Sequence, residues 1–218
     1  MQPTNTAPER FGKFTASSIW KLLVGGKAKD QEFGETALTY IDEKICEVLT
    51  QERPLNFTTS AMSWGIEHEY IANEKYKSMF DIADSDIEYF GIENPVFYTC
   101  PNFPFNAGAS PDALHGDWYV EYKCPFNSTV HLKNLTISRM KEGKLDAFKK
   151  QYKDYYPQIQ YGMWCTSLKQ ARFVSFDPRF KDEFNKIAII EIPLDEEFIK
   201  ALLKKIEFAV DCLNDAIK

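Results

Sequence analysis

Two acids and a lysine stand close together in the stretch Ser110-Pro111-Asp112-Ala113-Leu114-His115-Gly116-Asp117-Trp118-Tyr119-Val120-Glu121-Tyr122-Lys123. Gly116-Asp117 suits a two-residue type II′ turn, whose first central position needs the positive φ that glycine adopts freely. A hairpin folded there sets residues equidistant from the turn opposite each other. Asp112 then faces Glu121 and Ser110 faces Lys123, with Cβ atoms about 4.5–5.5 Å apart. Because strand side chains alternate, all four share one face. Opposed carboxylates repel unless a cation lies between them, and oxygen donors at this separation suit magnesium, with manganese as the alternative. Lys123 on that face can orient an attacking water or offset charge developing on a phosphate. That combination is machinery for hydrolysing a phosphodiester; the plainer reading of the same residues is an exposed hairpin with a cross-strand Lys–Glu pair.

Three further groups bear on the choice. Glu69 shares a helical stripe with Gly65, Ile66, Ala72 and Tyr76, whereas Glu67 lies with Ile71 and Glu74 on a more polar side, so Glu69 is the candidate third acid. Gln158 begins the helical face Gln158, Tyr161, Gly162 and Cys165, where its amide can orient water or a ligand. Arg10 precedes Thr15-Ala16-Ser17-Ser18 at an expected helix start, where free N–H groups, hydroxyls and a guanidinium make an anion site; ordinary N-capping is the alternative. Lys133, Arg139, Lys141, Lys144, Lys149, Lys150 and Lys153 add a basic run that would serve as a DNA-tracking wall or as a solvated surface.

The elements that must position these groups are legible in outline. Polar residues 1–9 are expected to be flexible. Residues 10–80 read as mostly helical: Thr15 to Leu23, a helix carrying Leu38, Ile41, Ile45, Val48 and Leu49 at helical spacing, and a third from about Trp64 to Phe80. From Pro95 to Cys124, Pro, Gly, Asn and aromatic residues in short runs predict several strands joined by tight turns. A helix starting at Pro157 and strands at Ala171 to Phe176 and Lys186 to Ile192 complete a sheet and catalytic core over 95–192. Phe198, Leu202, Ile206, Ala209, Leu213 and Ile217 predict an amphipathic helix over 195–217 covering one sheet face. The expected class is α/β or α+β, a mixed sheet flanked by helices in one domain spanning 1–218.

Composition narrows the class of function. The 218 residues are 44% hydrophobic and 27% charged, globular values, with no apolar run of membrane-spanning length and no signal-peptide pattern, so a cytoplasmic protein is expected. Five scattered cysteines without a CxxC pair, beside three histidines, argue against disulfides and a structural zinc. A net charge of −6 argues against coating nucleic acid by bulk electrostatics while leaving room for a local basic channel.

Taken in order, the blocks resemble those of a known family, the phage lambda-exonuclease or YqaJ-type recombination nucleases of the PD-(D/E)xK superfamily, with its restriction-endonuclease-like core. Arg10-Phe11-Gly12-Lys13-Phe14-Thr15-Ala16-Ser17 is similar to R-x-G-x-x-T-A-S, and Trp64-Gly65 through Glu69 to W-G-x-x-x-E. Ser110-Pro111-Asp112 and Glu121-Tyr122-Lys123-Cys124-Pro125-Phe126 resemble S-P-D and E-x-K-C-P-F; Gln158 to Trp164 resembles Q-x-Q-Y-x-M-W, and Asp177-Pro178-Arg179 the D-P-R turn. The resemblance implies that Asp112, Glu121 and the backbone carbonyl of Tyr122 ligate metal, two magnesium ions per site. It also implies that Lys123 positions or activates water, that Glu69 serves the second metal, and that Gln158 helps place Lys123 and the water. Arg10, Ser17 and Ser110 would form a pocket for a 5′-terminal phosphate, beside Thr15 of the same block.

The implied activity is 5′ to 3′ digestion of one strand of linear duplex DNA to 5′-mononucleotides, leaving 3′ overhangs. The implied setting is a ring-shaped homotrimer working beside a single-strand annealing protein in a bacterial or phage-infected cell. Residues from Val24 to Ser60 match poorly, and no strand-separating residue is assigned. The competing readings are a structure-selective or restriction-type endonuclease with the same hairpin, and a catalytically inactive DNA-binding module.

Overall fold

The computed structural model describes residues 10–26, 32–52, 58–91 and 94–218. The first nine residues, expected to be flexible, lie outside the described residues.

Strand β1 (Phe14–Thr15) passes directly into a 3-10 helix, Ala16–Leu23, followed by helices α1 (Glu35–Thr50) and α2 (Ser60–Phe80). Strands β2 (Ile87–Tyr89), β3 (Tyr98–Cys100), β4 (Phe103–Ala109), β5 (Ala113–His115) and β6 (Trp118–Lys123) come next. Helices α3 (Ser128–Ser138), α4 (Lys144–Gln151) and α5 (Tyr155–Thr166) lead to strands β7 (Gln170–Phe176) and β8 (Ile187–Pro193) and to helix α6 (Glu196–Ala216). The expected mixed α/β class is found, but the strands form two sheets: a five-stranded β2-β5-β6-β7-β8 and a three-stranded β1-β4-β3. In the larger, β6 and β7 run parallel and the other neighbours antiparallel.

Period-two alternation in β6 gives the larger sheet its two cores. Tyr119 points to one face and packs with Phe148 of α4, Ile159 and Met163 of α5, and Phe173 of β7. Val120 and Tyr122 point to the other and pack with Ala72 and Tyr76 of α2. Polar residues 127–151, read from the sequence only as a basic run, fold into α3 and α4. These helices bury Leu135, Ile137 and Phe148 and close the first core.

Three expectations need correction. In α1, Leu38 and Leu49 are 42% and 61% exposed, while Ala37, Tyr40 and Ile41 are buried. At 3.6 residues per turn, both leucines lie roughly 100° round the helix from the line of Ala37, Ile41 and Val48. Helix α5 begins two residues before Pro157, capped by the Asp154 carboxylate accepting from Tyr155 N at 2.9 Å, and proline fits the first turn because that turn needs no N–H from it. Helix α6 buries Leu202, Ile206, Ala209 and Leu213 as expected, but against α1, the 3-10 helix, β4 and α5 more than against a face of the larger sheet. Among the described residues no helix is long and apolar enough to cross a membrane.

Candidate active site

The hairpin register read from the sequence is the one found: Ala113, Leu114 and His115 pair with Val120, Tyr119 and Trp118. Gly116 takes φ +54° at the turn. The ladder stops at Ala113, and Asp112 takes over the next acceptor position with its side chain: its Oδ2 accepts from Tyr122 N at 2.7 Å, while its carbonyl accepts from Phe90 N at 3.0 Å. Asp112 is thereby held beside Glu121 at the end of β6.

Glu121 is 1% exposed and receives three donors. Lys123 Nζ donates to Oε1 at 2.6 Å, Gln158 Nε2 to the same oxygen at 2.5 Å, and Tyr119 Oη to Oε2 at 3.0 Å. Lys123 rides over the Tyr155 ring at 5.0 Å, so α5 supports the site through both Tyr155 and Gln158. Gln158 thus contacts Glu121 directly, in keeping with the expected orienting of a ligand by its amide, and meets Lys123 through the oxygen that both donate to. Tyr119 lies two residues before Glu121 on the same strand face; that spacing was the available signal, and sequence reading missed it. It missed Tyr89 as well, whose hydroxyl donates to Glu69 Oε1 at 3.2 Å.

Burial and charge crowding act together on these groups. Burial pushes the Asp112 carboxyl well above the usual range, and the charges of Glu121 and then Glu69 push it further. Burial also raises Glu69, against the pull of Lys123 and the Tyr89 hydroxyl, and Glu121 adds to the rise. For Lys123 burial acts downward, but Glu121 and Asp112 more than offset it and keep the ammonium charged. Glu69, half-buried on α2, therefore feels the same cluster from the sheet's other side, whereas Glu67 is exposed.

Among the described residues no three His, Cys, Asp or Glu side chains are gathered as a ready set of metal ligands. The chemistry of the donors nevertheless fits a hard cation. Asp112 and Glu121 offer carboxylate oxygens, and the Glu121 charge that adds to burial in raising Asp112 is what a divalent ion would offset. Water or phosphate oxygens would complete such a shell.

The anion-site residues gather in part. Arg10 Nη2 donates to Ser17 Oγ at 3.3 Å. Parallel pairing of Thr15 with Gly108 carries Ser17 and Ser110 to the same end of the β1–β4 pair. The Ser110 hydroxyl is buried with no hydrogen-bond partner. Thr15 is itself buried in β1, its N–H is taken by Tyr40 Oη at 3.1 Å, and its side chain makes no cap, so it offers no free main-chain donor. Members of the basic run have different neighbours. Lys149 pairs with Asp195 at 3.0 Å, while Lys141 and Lys144 line a shallow groove with Met79, Phe80 and Met140.

The model of the YqaJ-like viral recombinase domain matches residues 9–169. The chain is similar to an alkaline exonuclease from Laribacter hongkongensis, with a TM-score of 0.74 and 26% identity over 96% of this chain and 92% of that one. The structure of that exonuclease in complex with dAMP gives 0.72 and 26% over 95% and 91%. A phage related exonuclease from Haemophilus somnus 129PT shares the fold, with a TM-score of 0.71 at 15% identity over 94% and 95%. No curated protein matches the chain.

Proposed function

The chain belongs to the YqaJ-like viral recombinase domain family, and on that premise we propose that it is a magnesium-dependent exonuclease digesting one strand of linear duplex DNA from the 5′ end. The observation that carries the proposal is the convergence at the end of β6, where Lys123, Gln158 and Tyr119 all donate to Glu121 and Asp112 lies alongside. The likeness to an alkaline exonuclease along nearly the whole chain supports the same reading.

Asp112 and Glu121, with the Tyr122 carbonyl and with Glu69 toward a second position, would hold Mg2+ or Mn2+. When bound, such an ion supplies Lewis-acid polarisation of the phosphate and lowers the pKa of water. Lys123 orients the attacking water with its ammonium and offsets negative charge building on the phosphate. Gln158 keeps Glu121 from swinging away. Arg10, Ser17 and the unpartnered Ser110 hydroxyl, near Thr15, would receive the 5′-terminal phosphate, which makes attack depend on a DNA end.

The product would be a 5′-mononucleotide and the residual duplex would carry a 3′ overhang. The dAMP bound by the Laribacter enzyme is a nucleotide of that kind. A homotrimeric ring around the duplex and delivery of the overhang to a single-strand annealing protein complete the proposal.

The test is a gel assay of end-labelled linear duplex and covalently closed circular DNA, with magnesium or with chelator. Digestion of the linear duplex alone, abolished by chelator, is expected. Cutting of the closed circle would instead indicate an endonuclease, and no cutting of either substrate an inactive DNA-binding fold.

A further inference from the structure

Resting on that reading, we propose that Tyr119 is a positioning residue for Glu121, and that position 162 is glycine so that Tyr119 can act as one. The Tyr119 ring is fully buried between β6 and α5, among Ile159, Met163 and Phe173, and its hydroxyl donates to Glu121 Oε2 at 3.0 Å. Lys123 and Gln158 occupy only Oε1. The carboxylate is therefore oriented by its far oxygen: Tyr119 ties Oε2 into the core and turns Oε1 toward the site.

Gly162 makes this arrangement sterically feasible. A Cβ at that position would lie 2.5 Å from Tyr119 Cζ and 2.6 Å from its hydroxyl oxygen. Such contacts would displace the ring and carry the hydroxyl away from Glu121. The two residues form one device, with α5 supplying the space and β6 the donor. Groups that orient a ligand without touching the ion commonly change affinity or activity by about 10–100-fold when removed.

The test uses the full-length protein and Mn2+ alone, with binding followed by electron paramagnetic resonance of free Mn2+ and without DNA. Tyr119→Phe removes one oxygen and leaves the ring. It is expected to bind Mn2+ about tenfold more weakly, and to lose kcat in a way that added Mg2+ recovers, with KM for DNA ends unchanged. Gly162→Ala should weaken Mn2+ binding when Tyr119 is present and add little in the Tyr119→Phe background. A folded Tyr119→Phe protein with wild-type Mn2+ affinity would overturn the inference. Should that variant not fold, wild-type affinity in Gly162→Ala does the same. Glu121→Gln separates this failure from failure of the metal reading. If wild type and Glu121→Gln both bind no Mn2+, the metal reading falls and this inference with it. If only Glu121→Gln loses binding, Tyr119 alone is excluded.

Discussion

Lys123 has two possible partners in a catalytic cycle, the carboxylate it now touches and the water or phosphate it would serve. Its ammonium is held by Glu121 at 2.6 Å and kept protonated by Glu121 and Asp112, so at rest it is a cation and not a base. Replacing it with alanine removes that charge while leaving both acids in place and Glu121 Oε1 less encumbered. Lys123→Ala is therefore expected to lower turnover by about 10²–10³-fold while divalent-ion binding remains measurable, tested by single-turnover cleavage beside Mn2+ titration. Turnover at the wild-type rate would take Lys123 out of the mechanism.

Helix α3 is fastened to the sheet beneath the site by a directional chain. His131 Nε2 faces the Asn185 carbonyl at 2.8 Å, which only accepts, so Nε2 carries the proton and Nδ1 accepts from Ser175 Oγ at 2.8 Å. Ser175 in turn accepts from Asn134, whose amide oxygen accepts from Tyr152. Ser175 is the β7 partner of Lys123, so the chain braces the strand next to the reactive lysine. Protonating His131 would place a second donor on Nδ1 and leave the Ser175 hydroxyl without its acceptor. Burial lowers the His131 pKa below its ordinary value, against the raising effects of Asn185 and Asp177. A lowered histidine pKa means the unfolded chain binds the extra proton first. Stability from this group is thus complete above about pH 6.5 and declines as pH falls through that unfolded value. Denaturant melts at about pH 7.5 and 5.5 should show a larger acid loss for the wild type than for His131→Asn; equal losses would remove His131 as the titrating group.

For the whole molecule, a net charge of −6 gives a nucleic-acid enzyme little help from bulk electrostatics. Of the positive side chains between β6 and α5, Lys149 is engaged by Asp195, while Lys141 and Lys144 line the groove beside Met79 and Phe80. Encirclement by a ring would retain DNA by topology instead, which is where the proposed trimer bears on function. Sedimentation equilibrium is expected to return three chain masses, unchanged by moderate salt. A single chain mass at micromolar concentration would exclude the ring and leave retention to the end-binding pocket.

The sequence by itself determined which side chains meet at the end of the hairpin. A glycine-led turn and a period of two are local rules, and they suffice to put Asp112, Glu121 and Lys123 together and to set the register that the strands adopt. It also determined the amphipathic helices, since apolar spacing is local too, although the exposed Leu38 and Leu49 show that the stripe's centre was misjudged. Only the tertiary structure decided which groups from distant segments reach Glu121: Gln158 from α5, with Tyr155 beneath Lys123, and Glu69 feeling the cluster from α2. It also decided that Tyr119 lies under a glycine, that the strands split into two sheets, and that Lys149 pairs with Asp195. Those outcomes depend on how elements far apart in the chain pack against one another, and packing is settled by the shapes of all the partners at once, which no local spacing records.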